Sequence, residues 1–174
     1  MIDRKKRNEA IMYACADVFY KMGIEKATMR NFSEAIGYSP ATIYQSYKDK
    51  RQIVENCLYF CVNKRNGLIN DILCANFDTP EKLLDAMNDK KEELIKWSTI
   101  ILRIITSPYY DDMKDSVNTM NSDATSVYEK DYNADVITIF NLYYSAILRY
   151  AVDGNAARLE NQEAFLKKQM AALK

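Results

Sequence analysis

Residues 28–50, TMRNFSEAIGYSPATIYQSYKDK, constrain the fold more than any other stretch, because they encode two short helices and the turn between them. Thr28 is a suitable N-cap for the first helix, since its hydroxyl can accept from the free N–H groups of the first turn. Gly37 can end this helix, because glycine takes the left-handed conformation without a Cβ penalty. The apolar residues that recur at helical spacing between them are Met29, Phe32 and Ile36.

The second helix of this stretch is predicted to run from Pro40 to about Tyr47. Ser39 precedes it as N-cap, and Pro40 takes the first helical position, where its missing N–H costs no hydrogen bond. Polar side chains alternate with apolar ones along this helix: Thr42, Gln45, Ser46 and Lys48 with Ile43, Tyr44 and Tyr47. Two short helices in this order predict a helix-turn-helix, whose second helix enters the DNA major groove.

These residues resemble the N-terminal domain of TetR-family transcriptional regulators, in a match without gaps from about Arg7 to Ile53. The resemblance is carried by Phe19, Gly23, Ile24, Thr28, Met29, Arg30, Ala35, Ile36, Gly37, Ser39, Thr42, Ile43, Tyr44, Tyr47, Lys48 and Lys50. The remaining two-thirds of the chain resembles the family only in layout. The resemblance implies a domain at 1–49 that binds double-stranded DNA and a helical domain at 50–174 that binds an effector and dimerises.

Within the helix-turn-helix, core and DNA-contacting positions can be separated. The predicted core residues are Phe32, Ala35, Ile36, Ile43 and Tyr47. The resemblance implies contacts to the sugar-phosphate backbone from Thr28, Ser39, Thr42, Tyr44 and Lys50. Base contacts are expected from Pro40, Ala41 and Gln45, whose amide can pair with adenine in a bidentate way. Three positions depart from the common family pattern: Pro40, Ala41 and Ser46 stand where a lysine or other polar residue, a glycine and a histidine are frequent.

Composition and charge agree with a helical DNA-binding protein. Only 4 Gly and 3 Pro in 174 residues favour an all-α fold. Residues 1–51 carry 10 Lys and Arg against 6 acids, although the whole chain is formally neutral. The N-terminal part (residues 1–51, the head) is thus basic and the remainder (the body) acidic, which is typical of a phosphate-binding domain fused to a domain that does not bind DNA. The run RKKR at 4–7 is either a DNA-backbone contact or an ordinary solvated helix start.

Several classes of protein are disfavoured. The chain has no histidine, which removes His-based acid/base catalysis and His-containing metal sites. Neither a nucleophile-base pair nor a phosphate-binding glycine loop is present, so an enzyme is the weakest option, and no metal or other cofactor is predicted. The cysteines, all predicted to be reduced core residues, are Cys15, Cys57, Cys61 and Cys74. Neither a signal peptide nor a membrane-spanning run is recognisable, so a cytoplasmic location is expected.

The first helix of the chain is predicted at 4–22, and the body is predicted to contain helices at about 50–74, 90–106, 135–152 and 157–173. A further helix is predicted to begin at Pro80, with Thr79 as its N-cap, and to break near 88–89. Arg103 lies in the apolar run of the helix at 90–106, so it is expected to be buried and to pair with an internal acid or with an anionic ligand group. The acid is preferred, because six acids follow in residues 107–133.

The resemblance implies an effector site in the body. Residues 107–133 are predicted to form a marginal amphipathic helix or a pair, read either as thin core packing or as the wall of a cavity for an aromatic or cationic effector. The candidate effector contacts are Trp97, Ile101, Arg103, Tyr109, Tyr110, Met113 and Met120. The resemblance implies that the last two helices, 135–152 and 157–173, pair across a two-fold axis as the four-helix bundle of a homodimer, and both helices have the apolar character that this requires.

The sequence therefore predicts an all-α protein with an N-terminal three-helix helix-turn-helix domain and a C-terminal helical ligand-binding and dimerisation bundle. The predicted function is that of a TetR-like regulator, a repressor released from a palindromic operator by a small-molecule effector. The alternative is a helical dimeric DNA-binding interaction protein that has no small-molecule effector.

Overall fold

The computed structural model describes residues 4–75, 77, 79–113 and 134–172, and in these ranges the secondary structure is helical, without a strand. The helices are α1 (Arg4–Met22), α2 (Met29–Ile36), α3 (Pro40–Tyr44), α4 (Lys50–Leu73), α5 (Pro80–Asp89), α6 (Lys91–Ile105), α7 (Ala134–Asp153) and α8 (Ala156–Ala172), with a 3-10 turn at Asp111–Met113. The predicted all-α fold is confirmed.

Contacts divide the chain into two compact units. The first consists of Met1–Asn63 with Ile100–Met120, and the second of Lys64–Thr99 with Asn121–Lys174. The domain division at residues 49 and 50, which was derived from the sequence, remains a prediction.

Helix ends follow from local chemistry. Thr79 caps α5 by accepting from the N–H of Lys82, and Pro80 takes the first helical position, as predicted. The helix α3 is shorter than expected, since it ends at Tyr44 rather than near Tyr47. Its last turn tightens, because the N–H of Ser46 donates to the carbonyl of Ile43 at 2.9 Å.

The first unit has its core between α1, α2 and α3, with α1 packed on α2 and α2 on α3. The rings of Phe19 and Phe32 meet edge to face, with centroids 5.3 Å apart, and both side chains are fully buried. Ile43 and Tyr47 are buried as predicted. Ala35 is exposed rather than part of the core, because α2 buries only the face that carries Phe32.

The second unit has its core where α5 packs on α7 and α8 and where α7 packs on α8. Its buried residues are mainly aliphatic: Ile69, Ile72, Leu73, Leu83, Leu84, Met87, Leu94, Ile95, Phe140, Tyr143, Ala146, Ile147, Leu159, Leu166 and Met170. The contact of α7 with α8 is the densest in this unit, so the two helices predicted to form a dimer interface also hold the unit together.

A polar network is enclosed in this apolar core. The hydroxyl of Tyr143 lies 2.7 Å from Glu163 Oε1 and 2.5 Å from Asn88 Oδ1, and Lys91 Nζ lies 3.1 Å from the same Glu163 oxygen. The Tyr143 hydroxyl has one hydrogen to donate. It goes to Glu163, because a carboxylate is a stronger acceptor than an amide oxygen. Burial, and then the hydrogen bond to Glu163, raise the pKa of Tyr143 well above its usual range.

The cysteines differ in exposure. Cys15, Cys57 and Cys61 are buried, with 3.8 Å between the sulfurs of Cys57 and Cys61, but Cys74 is exposed, which corrects its predicted place in the core. The reason is its position just beyond the last residue of α4, where its thiol donates to Asn70 on the outer face. Within the described residues, no three acids or cysteines converge on a possible metal position. None of the described helices combines the length and the apolarity that crossing a bilayer requires.

Candidate nucleic-acid interface

Reciprocal hydrogen bonds fix the start of α2. Thr28 Oγ1 accepts from the N–H of Asn31 at 3.3 Å, and the Asn31 side chain accepts from the N–H of Thr28 at 3.0 Å. This is a capping box in which asparagine replaces the more usual glutamate or glutamine. At the other end Gly37 has φ of 73°, the left-handed conformation that the sequence predicted. Helix α2 is therefore fixed at both of its ends.

The start of α3 is capped in the same way. Ser39 Oγ accepts from the N–H of Thr42 at 3.2 Å and lies 2.9 Å from the Thr42 hydroxyl. Pro40 occupies the first helical position, as predicted. Ser39 is therefore the N-cap of this five-residue helix, as predicted.

The outer side of α3 is open to solvent. Pro40, Ala41 and Gln45 are exposed, and 52% of the Tyr44 surface is accessible. Ile43 points inward and is fully buried, which fixes the rotation of α3 about its axis. The structure therefore gathers the predicted base-contacting residues and Tyr44 on one exposed surface, with Ser39 exposed and Thr42 half-buried at its start.

Lys50, another predicted backbone contact, is engaged within the protein. Its Nζ donates to the carbonyl of Glu25 at 3.0 Å and lies 5.5 Å from the centroid of the Tyr109 ring. The Lys50 ammonium therefore holds the segment between α1 and α2 against the start of α4.

One contact of the interface has no signal in the sequence. Ser46 Oγ donates to Asn8 Oδ1 at 3.2 Å, which ties the residues after α3 to the first turns of α1. Two small polar residues 38 positions apart carry no local pattern, so only the folded chain shows the pair. Arg4, Lys5 and Lys6, the basic residues that precede Asn8, are exposed.

The predicted effector contacts have different surroundings. Trp97, Ile101 and Met113 are buried, Tyr109 and Tyr110 are half-buried, and Met120 lies outside the described residues. Trp97 belongs to the second compact unit, whereas Ile101, Arg103, Tyr109, Tyr110 and Met113 belong to the first.

Arg103 corrects the prediction made for it. Its side chain is exposed rather than buried, and its partners are backbone carbonyls rather than acids. Its Nη1 donates to the carbonyls of Phe19 at 3.0 Å and Tyr20 at 2.6 Å, near the end of α1. The Phe19 carbonyl also accepts from the N–H of Gly23 at 3.0 Å, so Arg103 shares this acceptor and adds a donor to the Tyr20 carbonyl. Its positive charge also offsets the negative end of the helix dipole, so Arg103 is a C-terminal cap for α1.

A groove of about 400 Å³ lies beside this cap. It is lined by the end of α1, the turn after it, the end of α6 and the two residues after α6: Lys21, Met22, Gly23, Ile24, Glu25, Lys26, Arg103, Thr106 and Ser107. Of the seven predicted effector contacts, Arg103 lines this groove.

The comparisons with known proteins agree with this geometry. Residues 11–57, which include α2 and α3, match the family model for bacterial regulatory proteins of the tetR family. Residues 11–57 are therefore similar to the N-terminal domain of this family. The match begins within α1 and ends at Cys57 in α4, so the family signature covers the whole capped helix-turn-helix. A search of curated proteins gave no match.

Solved structures extend the likeness to the whole chain. A protein of Mesorhizobium loti MAFF303099 assigned to the TetR-family transcriptional regulators has a TM-score of 0.63 and 17% identity, with 98% of each chain covered. A TetR-like transcriptional regulator from Rhodococcus sp. RHA1 has a TM-score of 0.56 and 14% identity, covering 98% of this chain and 99% of its own. PfmR from Thermus thermophilus, a TetR-family transcriptional regulator, has a TM-score of 0.54 and 15% identity, covering 99% and 100%. These similarities show that the TetR fold extends through the body.

Proposed function

We propose that the chain is a DNA-binding transcriptional regulator that acts as a homodimeric repressor in the cytoplasm and leaves a palindromic operator when a small molecule binds. The family signature over residues 11–57 supports DNA binding. The exposed surface of α3 is the main support for the proposal. Tyr44 and Gln45 are open to solvent on this surface, while Ile43 on the opposite side of the helix is buried in the core.

The roles proposed for the side chains follow from their exposure. Gln45 stands at the C-cap of α3, where its free amide can pair with the N6 and N7 atoms of adenine. Pro40 and Ala41 offer apolar surface for a thymine methyl group. Thr28, Ser39, Thr42 and Tyr44 are proposed to contact phosphates, which position the protein without reading sequence. Lys50 is proposed to reach a phosphate only by leaving the Glu25 carbonyl.

Homodimerisation is proposed through α7 and α8. Leu142, Val152 and Phe165 lie on these helices with 41%, 74% and 50% of their surfaces exposed. Large apolar side chains left open on two adjacent helices favour a covering partner. A second copy of the chain would also supply the second helix-turn-helix that a palindrome requires.

The test uses the purified full-length chain and duplexes selected by it from a randomised pool. Replacing Tyr44 and Gln45 together by alanine should weaken binding to the selected duplex by roughly 10- to 100-fold, since the bidentate base contact of Gln45 contributes about 1–3 kcal/mol and the Tyr44 phosphate contact is lost with it. Fluorescence anisotropy measures this, and circular dichroism checks that the variant folds.

Asn63→Ala is the control, because Asn63 is an exposed polar residue of α4 and lies outside the stretch 28–50 that forms the helix-turn-helix. Selection of no consensus duplex, or equal affinity for the folded Tyr44 and Gln45 variant and the parent, would show that α3 does not read DNA.

A further inference from the structure

The groove beside Arg103 has an unbalanced set of charges. Three cations line it, Lys21, Lys26 and Arg103, against one carboxylate, Glu25. Among the described residues, neither lysine has an ion-pair or hydrogen-bond partner. The groove therefore presents positive charge that the described part of the protein does not neutralise.

Arg103 is held in place but not saturated. One nitrogen of its guanidinium donates to the Phe19 and Tyr20 carbonyls. A guanidinium has five N–H groups, and within the described part of the chain the other two nitrogens donate to no acceptor. A fixed guanidinium with free donors is suited to a carboxylate or phosphate, because charge-assisted hydrogen bonds are about twice as strong as neutral ones.

The hydroxyl groups that line the groove place a second requirement on a ligand. Thr106 Oγ1 donates to the carbonyl of Leu102 at 2.8 Å, and Ser107 Oγ donates to the carbonyl of Ile104 at 2.7 Å. Since both hydroxyl hydrogens are donated to carbonyls of α6, the two hydroxyl oxygens are available to a ligand only as acceptors. The Glu25 carboxylate is an acceptor as well. This side of the groove is therefore matched by a ligand that carries hydroxyl donors.

We propose that this groove binds a small molecule that combines a phosphate or carboxylate with several hydroxyl groups, such as a sugar phosphate or a polyhydroxy acid. Lys21, Lys26 and Arg103 bind the anionic group, while Glu25, Thr106 and Ser107 accept from its hydroxyls. The groove volume of about 400 Å³ lies within the usual range for small-molecule sites. The ligand would act at the end of α1, on the segment that leads into the helix-turn-helix.

As a binding site the groove is independent of DNA recognition, but as the site of an effector it rests on the proposed function. Binding is therefore measured first without DNA, on the full-length chain at constant ionic strength. Isothermal titration calorimetry compares three ligands that share a set of hydroxyl groups. Glucose 6-phosphate adds a phosphate, gluconate adds a carboxylate, and glucose has neither, so the comparison shows what each anionic group contributes to binding. We expect saturable binding of at least one of the two anions and none of glucose.

Lys21→Gln with Lys26→Gln should lower the affinity for the bound anion by roughly tenfold or more, because two charge-assisted contacts are removed. The matched control is Lys167→Gln with Lys168→Gln on α8, which removes the same charge from exposed positions and should leave the affinity unchanged. Arg103→Gln should abolish binding; the lysine pair keeps the test valid if this variant unfolds the end of α1.

Equal binding of glucose and the anions would overturn the proposal, as would the absence of saturable binding by both anions. So would equal losses in the groove variant and the α8 control, since these would reflect net charge alone. Failure to bind DNA would overturn the proposed function without affecting these titrations.

Discussion

At the scale of single residues, the thiols offer a direct test of burial. Burial raises the pKa of Cys15 to about 12, so this thiol stays protonated at neutral pH, and Cys57 and Cys61 have no exposed surface. Cys74 is exposed. Since thiolates are the reactive form, a disulfide reagent such as Ellman's should modify one thiol quickly in the folded protein and the others only after unfolding. Cys74→Ser should remove the fast phase; two or more fast thiols in the parent would contradict this burial.

Residues also show what the sequence could and could not predict. Thr28, Ser39 and Thr79 were predicted as caps, and the structure confirms all three, because capping depends on neighbours three positions away. Arg103 was predicted to be buried, since it interrupts an apolar run. Its true partners belong to a helix more than 80 residues earlier, and no local pattern reports which helix end comes close.

At the scale of helices, the Tyr143 network links α5, α6, α7 and α8 within the second unit. The folded protein holds the Tyr143 proton above its ordinary pKa of 10, whereas the unfolded chain releases it there. The stability that this group contributes is therefore complete below about pH 10 and declines as the pH rises beyond it.

Tyr143→Phe is expected to reduce the free energy of unfolding near neutral pH by about 1–3 kcal/mol, because the fully buried hydroxyl that bonds the half-buried Glu163 and Asn88 is removed. The same variant should lose less stability than the parent between about pH 9 and pH 11, since its side chain cannot ionise. Urea denaturation at several pH values measures both effects. Parallel stability curves for parent and variant over that range would argue against Tyr143 as an alkaline titrating group.

At the scale of the whole molecule, the apolar surface of α7 and α8 is the feature to test. Leu142→Glu with Phe165→Glu should turn a dimer into a monomer, since charges are costly in an apolar interface. Sedimentation velocity at micromolar concentration measures the change, and affinity for the selected duplex should fall with it, because one head reads only a half-site. Asn63→Glu, an exposed change on α4, is the control. A parent chain that sediments as a monomer would rule out this interface.

The anchors at the end of α1 have a consequence for how related sequences can diverge. Arg103 and Lys50 bind main-chain oxygens of Phe19, Tyr20 and Glu25, and every amino acid supplies such an oxygen. Exposed Glu25 can therefore mutate without losing the attachment to Lys50, whereas Arg103 and Lys50 themselves cannot be exchanged so freely. The side chains of this turn can therefore change during evolution while the hydrogen bonds that hold its main chain are kept.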